Sequence, residues 1–458
     1  MHFSRVNSLR ITTVILTRSW AVSLLLTIVL TGTSCSRQEL ADHEIALAWA
    51  DLSLDITRMT PGNSPTYASR CFGYLGLTMY ETVVHGAAEH RSLGGQLSAL
   101  PPLPVPDGGD YDFALALNAG QAEMLRSVYQ QTGPANSSRI DSLELLILRS
   151  RQNNRPKAVV RRSVAFGQAV ARSIYEWSKS DGGHRAYLRN FEKDLVHPVR
   201  PGSWQPPLFA QSFSHHPLHP SWGTNRPFLP ANYDLDAPTF IPYDTVPGSP
   251  YYEQFRAVYD KERSLTQAEK EAALWWGDDP DETFTPPGHS YYLATVLLRA
   301  KDRPPSLIHC AETFARTGMA VADAFINCWR WKFEVFSERP NTFIPAFIDQ
   351  EWESFWPDPP FPAFPSGHAV QAAAAAAVLQ DLHGDEHELV DIAHEGRRRD
   401  EVRDVDFRSR RFSSLSDLAQ EVANSRFYGG IHTPQDNERG LEAGRRIGRH
   451  VNDLQWRR

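Results

Sequence analysis

The chain has 458 residues, enough to bury one large core or two ordinary ones. Apolar and charged residues stand in the proportions of a globular protein. A formal net charge of −7 lacks the basic face that general nucleic-acid binding needs, which sets that class of function aside.

Residues 1–35 read as an export signal. Arg5, Arg10 and Arg18 precede an apolar run from Ala21 to Leu30, and small residues from Thr31 to Ser34 lead to Cys35. This is a basic region, a short apolar core and a cleavage zone. The run is shorter than an ordinary membrane span. Cys35-Ser36 resembles a bacterial lipoprotein junction, so the expectation is a periplasmic protein, an envelope-anchored lipoprotein, or a secreted one. At most one disulfide can form among Cys71, Cys310 and Cys328. Cys310 and Cys328 lie eighteen residues apart in a helical pattern, too far to bridge, and buried free thiols are expected.

From about Leu40 to Leu100 the apolar residues Ala46, Leu47, Trp49 and Leu52, then Tyr74, Leu75, Leu77 and Tyr80, recur at helical spacing. A Pro-Gly turn region from Pro101 to Asp110 separates them from helices around Ala114 to Gln131 and Ser142 to Ser178. About a dozen prolines between Val196 and Pro250 leave no room for a periodic element. The aromatics among them, Trp204, Phe209, Phe213, Trp222 and Phe228, predict an ordered wrapping segment. His215, His216 and His219 in that segment suit a metal site or a histidine-bearing surface loop.

Helical periodicity resumes over Leu265 to Trp276, His289 to Arg299 and Ser306 to Phe336. Ala369 to Leu379 is mostly alanine, the strongest helix former. The mixed charge run Arg397 to Arg411 predicts a solvated helix-and-loop surface, and a last helix is expected over Gln435 to Trp456. Strand-like alternation is scarce, so the class is mostly α, a helical bundle. The chain divides into residues 1–35, a helical region 36–195, a proline- and aromatic-rich crossing segment 196–264, and a region 265–458 that carries three charged motifs.

In the middle motif, Pro365 ends what precedes it and Ser366-Gly367-His368 opens the alanine-rich helix. A helix N-terminus offers unpaired N–H groups and positive partial charge to an anion. Ser366 can cap the helix or donate its hydroxyl to the anion. Gly367 lets the backbone come close, and His368 is then placed for proton transfer. In the first motif, Lys332 and Arg339 lie seven apart, two helical turns, on one face and about 10 Å apart along the axis. Pro340 favours ending the helix there, letting the guanidinium fold back toward Lys332.

In the third motif, Arg426 and His432 flank Gly429-Gly430, and Thr433-Pro434-Gln435-Asp436 starts the last helix. Asp436 either orients His432 or simply caps that helix. Each motif alone is commonplace: a proline turn, a solvated face, a capping acid. Together they supply three cations for an oxyanion and two histidines for distinct work.

On these residues the chain resembles the superfamily of vanadium-dependent haloperoxidases and type 2 phosphatidic acid phosphatases. Its signatures, Lys-x6-Arg-Pro, Pro-Ser-Gly-His and Ser-Arg-x5-His-x3-Asp, are complete at Lys332 to Pro340, Pro365 to His368 and Ser425 to Asp436. The resemblance implies a helical bundle of that type over 265–458, with the N-terminal helical region added. It implies His432 as axial ligand of vanadate, or as nucleophile in a phosphatase, and His368 as acid–base group. Lys332, Arg339, Ser366, Gly367 and Arg426 would hold the oxyanion's other oxygens.

Trp331 to Glu334 and Phe361 to Pro365 are similar to the chloroperoxidase branch. Trp276-Gly277-Asp278 followed by Thr285-Pro286-Pro287 implies that Asp278, or its neighbour Asp279, pairs with Arg426. Phe361 falls in the halide pocket, where bromoperoxidases carry His. The implied reaction is oxidation of halide by hydrogen peroxide at bound vanadate. A soluble acid phosphatase acting on phosphate monoesters without a cofactor is the alternative, and a catalytically idle oxyanion-binding lipoprotein the third. The long helical half ahead of the motifs and the absence of apolar runs of spanning length beyond the leader favour the first.

Overall fold

The computed structural model describes residues 39–458 apart from 197, 207–215, 281 and 302. The leader with Cys35, and His215, lie outside the described residues. Five helices precede the proline-rich segment: α1 (Asp42–Met59), α2 (Pro65–Val83), α3 (Phe113–Val128), α4 (Pro134–Arg151) and α5 (Lys157–Ser178). Then come α6 (Pro250–Glu262), α7 (Gln267–Trp275), α8 (Thr285–Arg299), α9 (Leu307–Val335), α10 (Pro340–Phe347), α11 (Gly367–His383), α12 (Leu415–Tyr428) and α13 (Pro434–Asn452). Strands β1 (Glu386–Asp391) and β2 (Arg410–Ser414) pair antiparallel, Leu389 opposite Phe412.

The 29-residue α9 is buried without interruption from Cys310 to Trp329, and α2 from Thr66 to Val83. A helix buried all round belongs in the middle of a bundle. These two pack against each other with glycines at the crossing. A Cβ on Gly76 would stand 2.4 Å from the Phe314 carbonyl oxygen, and one on Gly318 2.3 Å from that of Phe72. The second tight pair is α11 on α13. Gly440, Gly444 and Gly448, spaced four apart on α13, meet Ser366 just before α11 and Val370 and Ala374 within it. The alanine run of α11 supplies a flat partner for those glycines, which fixes the height of the α11 N-terminus against α13. Residues 39–458 form one compact unit. No helix among the described residues is long and apolar enough to cross a membrane.

Several sequence expectations are corrected. Lys332 and Arg339 do not share a helix face: α9 ends at Phe336, whose left-handed φ of +55° turns the chain, and Arg339 is the residue before Pro340 opens α10. The stretch Ser142 to Ser178 breaks at Gln152 to Pro156, because Pro156 cannot continue α4. The charge run Arg397 to Arg411 holds no helix; its turns feed β2, and Arg397 and Arg399 pair with Glu282 and Asp406. Within 196–264, Ser249 caps α6 and Pro250 occupies its first turn, where a missing N–H costs nothing. The last helix stops at Asn452. Cys71, Cys310 and Cys328 are buried and unpaired, as expected.

Among the described residues His219 joins no metal-ligating group. Its Nδ1 lies 2.5 Å from Thr66 Oγ1 and its Nε2 3.1 Å from the Ala186 carbonyl oxygen, and its ring stacks on Trp222.

The α11–α13 contact predicts that Gly444→Ala is destabilising. The new Cβ meets the Val370 carbonyl oxygen at 2.1 Å, and overpacking of this kind costs roughly 1–3 kcal/mol. Urea unfolding followed by far-UV circular dichroism measures it, and an unchanged midpoint would contradict the packing described.

Candidate active site

The three motifs converge where the ends of α9, α10, α11 and α13 meet. Ser366 caps α11, its Oγ accepting from the Ala369 N–H, while its own N–H donates to the Asp436 carbonyl oxygen at 3.0 Å. Gly367 and His368 thus stand in the first turn of α11, beside the first turn of α13. A Cβ on Gly367 would reach within 4.0 Å of Lys332 Cε, so the missing side chain leaves an open floor above the lysine.

Lys332, Arg339 and Arg426 are all buried. Lys332 Nζ donates to the carbonyl oxygens of Pro362 and Ala363 at 2.8 and 2.6 Å. Arg339 donates to those of Phe361 and Ile431 at 3.0 and 2.7 Å. Arg426 donates to the Ala273 carbonyl oxygen and to Ser425 Oγ. Among the described residues none of the three has a carboxylate within 4.0 Å. Carbonyl dipoles orient these cations without neutralising them, so positive charge is left for a ligand. Burial pulls the Lys332 ammonium down to about 7, with Arg339 adding to the effect. Burial likewise brings Arg426 down to about 10.

His432 stands just before α13, and its Nδ1 is 3.1 Å from Asp436 Oδ2, which also accepts the Thr433 N–H at 2.9 Å. Asp436 therefore both caps α13 and fixes the imidazole. With Nδ1–H turned to the carboxylate, Nε2 keeps its lone pair. Burial, then Arg339 and Lys332, hold His432 neutral, well below the usual histidine range. Burial pushes Asp436 up to about 6. His368 Nε2 is buried and has no hydrogen-bond partner. Burial and the Arg426 charge press its pKa down to about 3. His368 Nε2 thus stands unpartnered in the field of Arg426 and Lys332.

Gly367, His368, Arg426 and His432 open onto a cavity of about 540 Å³, walled on its apolar side by Phe191, Phe325, Trp329, Trp356, Phe361 and Ile431. The Phe361 ring lies 5.2 Å from Lys332 Nζ and 5.3 Å from Arg339 Cζ, and its own carbonyl receives Arg339.

A family model described as the VCPO second helical-bundle domain matches residues 345–457. That span holds Ser366, His368, Arg426, His432 and Asp436, with Lys332 and Arg339 just ahead of it. Among solved structures, a bacterial vanadium-dependent iodoperoxidase superposes with a TM-score of 0.76 at 28% identity, covering 92% of this chain and 98% of that one. Both comparisons support the vanadium haloperoxidase superfamily.

The fold is shared more distantly by a bacterial vanadium-dependent chloroperoxidase. Its apo form has a TM-score of 0.62 at 16% identity, covering 88% of this chain and 93% of that one. Its holo form has 0.59 at 15%, covering 92% and 94%. No curated protein matches the sequence significantly.

One pairing that the resemblance implied is corrected. Asp278 does not reach Arg426; its carboxylate binds His289 Nδ1 at 2.9 Å and His394 Nε2 at 2.8 Å. A left-handed φ of +49° at Asp278 lets the chain turn that side chain to the two imidazoles. Asp279 exerts the stronger pull on Arg426, though not in contact with it, and burial pushes its own pKa up to about 6. Sequence reasoning missed His289, His394 and Asp391. His289 sits in α8 as an ordinary-looking helical residue, and His394 follows β1 by three residues; only the tertiary fold joins them.

The pKa order gives a signed expectation for anion binding. Lys332 is charged below pH 7 and loses its proton above it, so an anion bound at higher pH must bring that proton back. Sulfate keeps its charge across this range, and its affinity should fall by about tenfold per pH unit from pH 7.5 to 9. Isothermal titration reads this, and a flat profile would show that Lys332 is not in the anion's field.

Proposed function

We propose that the protein is a vanadate-dependent haloperoxidase, with vanadate held at His432 and halide oxidised by hydrogen peroxide in the apolar cavity. The observation that carries this is the set of three buried, unneutralised cations around the free nitrogens of His368 and His432. The donor set fits the group. A tetrahedral oxyanion finds positive charge from Lys332, Arg339 and Arg426, the N–H groups opening α11, the Ser366 hydroxyl, and a neutral imidazole lone pair at His432 Nε2. Bound vanadate supplies a Lewis-acidic centre that activates peroxide toward halide. The iodoperoxidase and chloroperoxidase likenesses support the same cofactor.

The residues' own work follows from the geometry. Halide, hydrogen peroxide and one proton give hypohalous acid and water, so a group must hold and return protons. His368 Nε2 is that group: neutral in the anion-free site, it accepts a proton once negative charge lies beside it. Asp436 keeps His432 in the tautomer whose Nε2 is a ligand. The three cations stabilise the negative charge that peroxide brings. Phe361 presents an apolar face toward Lys332 and Arg339, where a halide would settle. The leader-like residues 1–35 extend the proposal to an exported, periplasmic or envelope-anchored enzyme acting on small molecules.

The test is halide oxidation measured with and without added vanadate, on the protein and two variants. Turnover should depend on vanadate and peroxide together. His432→Ala should lose vanadate retention. His368→Ala should keep the anion but lose turnover by about 10²–10⁴-fold. Vanadate-inhibited hydrolysis of a phosphate monoester, with no halide oxidation, would replace this reading by a phosphatase with His432 as nucleophile. Full activity in His432→Ala would sink the site assignment.

A further inference from the structure

Apart from the oxyanion cradle, the described residues bring together one group of three metal-ligating side chains: Asp278, His289 and His394, buried and with one donor atom each within 4.8 Å of the others. They come from three separate places, the loop after α7, the second turn of α8 and the loop after β1. Each imidazole aims one nitrogen at the same carboxylate, His289 Nδ1 at Oδ2 and His394 Nε2 at Oδ1.

Behind His289 stands a second layer. Its Nε2 is 2.8 Å from Asp391 Oδ2, and Asp391 is itself held by Trp275 Nε1 at 2.7 Å and by the Ala393 N–H at 2.9 Å. A carboxylate that takes one ring proton and so turns the other nitrogen's lone pair outward is how proteins set histidine ligands for transition metals. The charge count points the same way. Two carboxylates, Asp278 and Asp391, are buried with no Lys or Arg within 4.0 Å among the described residues. One divalent cation would balance both carboxylates. Beside Asp278 and His289 lies a cavity of about 10 Å³ bordered by Ser290 and Gln371, room for about one water and hence for a fourth, non-protein ligand.

We infer that Asp278, His289 and His394 form a buried two-histidine, one-carboxylate site for a divalent transition metal of the zinc class. Two imidazole nitrogens and one carboxylate oxygen suit zinc. Binding exchanges the ion for the protons shared between Asp278 and the two imidazoles: two metal–nitrogen bonds and one metal–oxygen bond form, and the displaced protons go to solvent. Each imidazole nitrogen stands 2.8–2.9 Å from an Asp278 oxygen as a hydrogen-bonded partner, and tetrahedral zinc spaces its ligands at about 3.3 Å, so each imidazole–carboxylate contact opens by a few tenths of an ångström. Asp278 also borders the catalytic cavity with Gly277 and Asp279. The ion would thus tie the cavity's loop wall to α8 and to the segment after β1, independently of what the oxyanion site binds.

The experiment is metal analysis of the whole chain, purified without chelators, equilibrated with zinc chloride and exhaustively dialysed. About one zinc per chain is expected. His394→Gln, which touches Asp278 but does not line the catalytic cavity, should lose it with its circular dichroism intact. His432→Ala should keep it, separating this site from the oxyanion cradle. Cobalt in place of zinc should give the visible absorption of a low-coordinate ion. A folded parent chain that retains no zinc above buffer level overturns the proposal, even if His394→Gln fails to fold. So does full zinc retention by a folded His394→Gln.

Discussion

Lys332, Arg339 and Arg426 are carried into the interior with backbone carbonyls, not carboxylates, as their partners, and much of the molecule is arranged around that fact. Burying an unpaired ion costs several kcal/mol even after relaxation, while each hydrogen bond to a charged group returns about 1.5–3 kcal/mol. The segment Phe361 to Ala363 concentrates that compensation: its three successive carbonyls face Lys332 and Arg339. Such a cradle is stable enough to fold and still short of negative charge. Burial raises the pKa of the acids nearest it, Asp358 up to about 7 and Asp436 up to about 6.

The bundle holds that cradle rigid. Glycines let α2 touch α9 and α13 touch α11 at backbone distance, so the end of α9 and the start of α11 are set by main-chain contacts rather than by long side chains. Gly440 lies against Ser366 itself, and the Ser366 N–H is tied to the Asp436 carbonyl oxygen. The helix starts that present Gly367 and His432 are thereby locked to one another. Preorganisation of this kind is what lets fixed donors act on developing charge without first rearranging.

Much of this was legible in the sequence, and the failures have physical reasons. The periodicity of α9, the alanines of α11 and the Thr-Pro start of α13 announced their helices, because local propensity and burial agree there. The motif residues could be assigned to one site because a buried oxyanion demands several donors from distant segments. What propensity could not foresee was the left-handed Phe336, which turns the chain and throws Arg339 onto the next helix start. Asp278 misled for a related reason: a left-handed residue turned its carboxylate away from the expected arginine. His394, three residues past a strand that only tertiary pairing creates, had no local signature to announce it.

The central claim is that the cradle would hold an oxyanion bonded to His432 Nε2. A crystal structure of the protein grown with saturating vanadate tests this directly. The account predicts a single vanadate bonded to His432 Nε2, with its oxygens facing Lys332, Arg339, Arg426 and the Gly367 N–H. Vanadate bound elsewhere, with only solvent between those three cations, would contradict it.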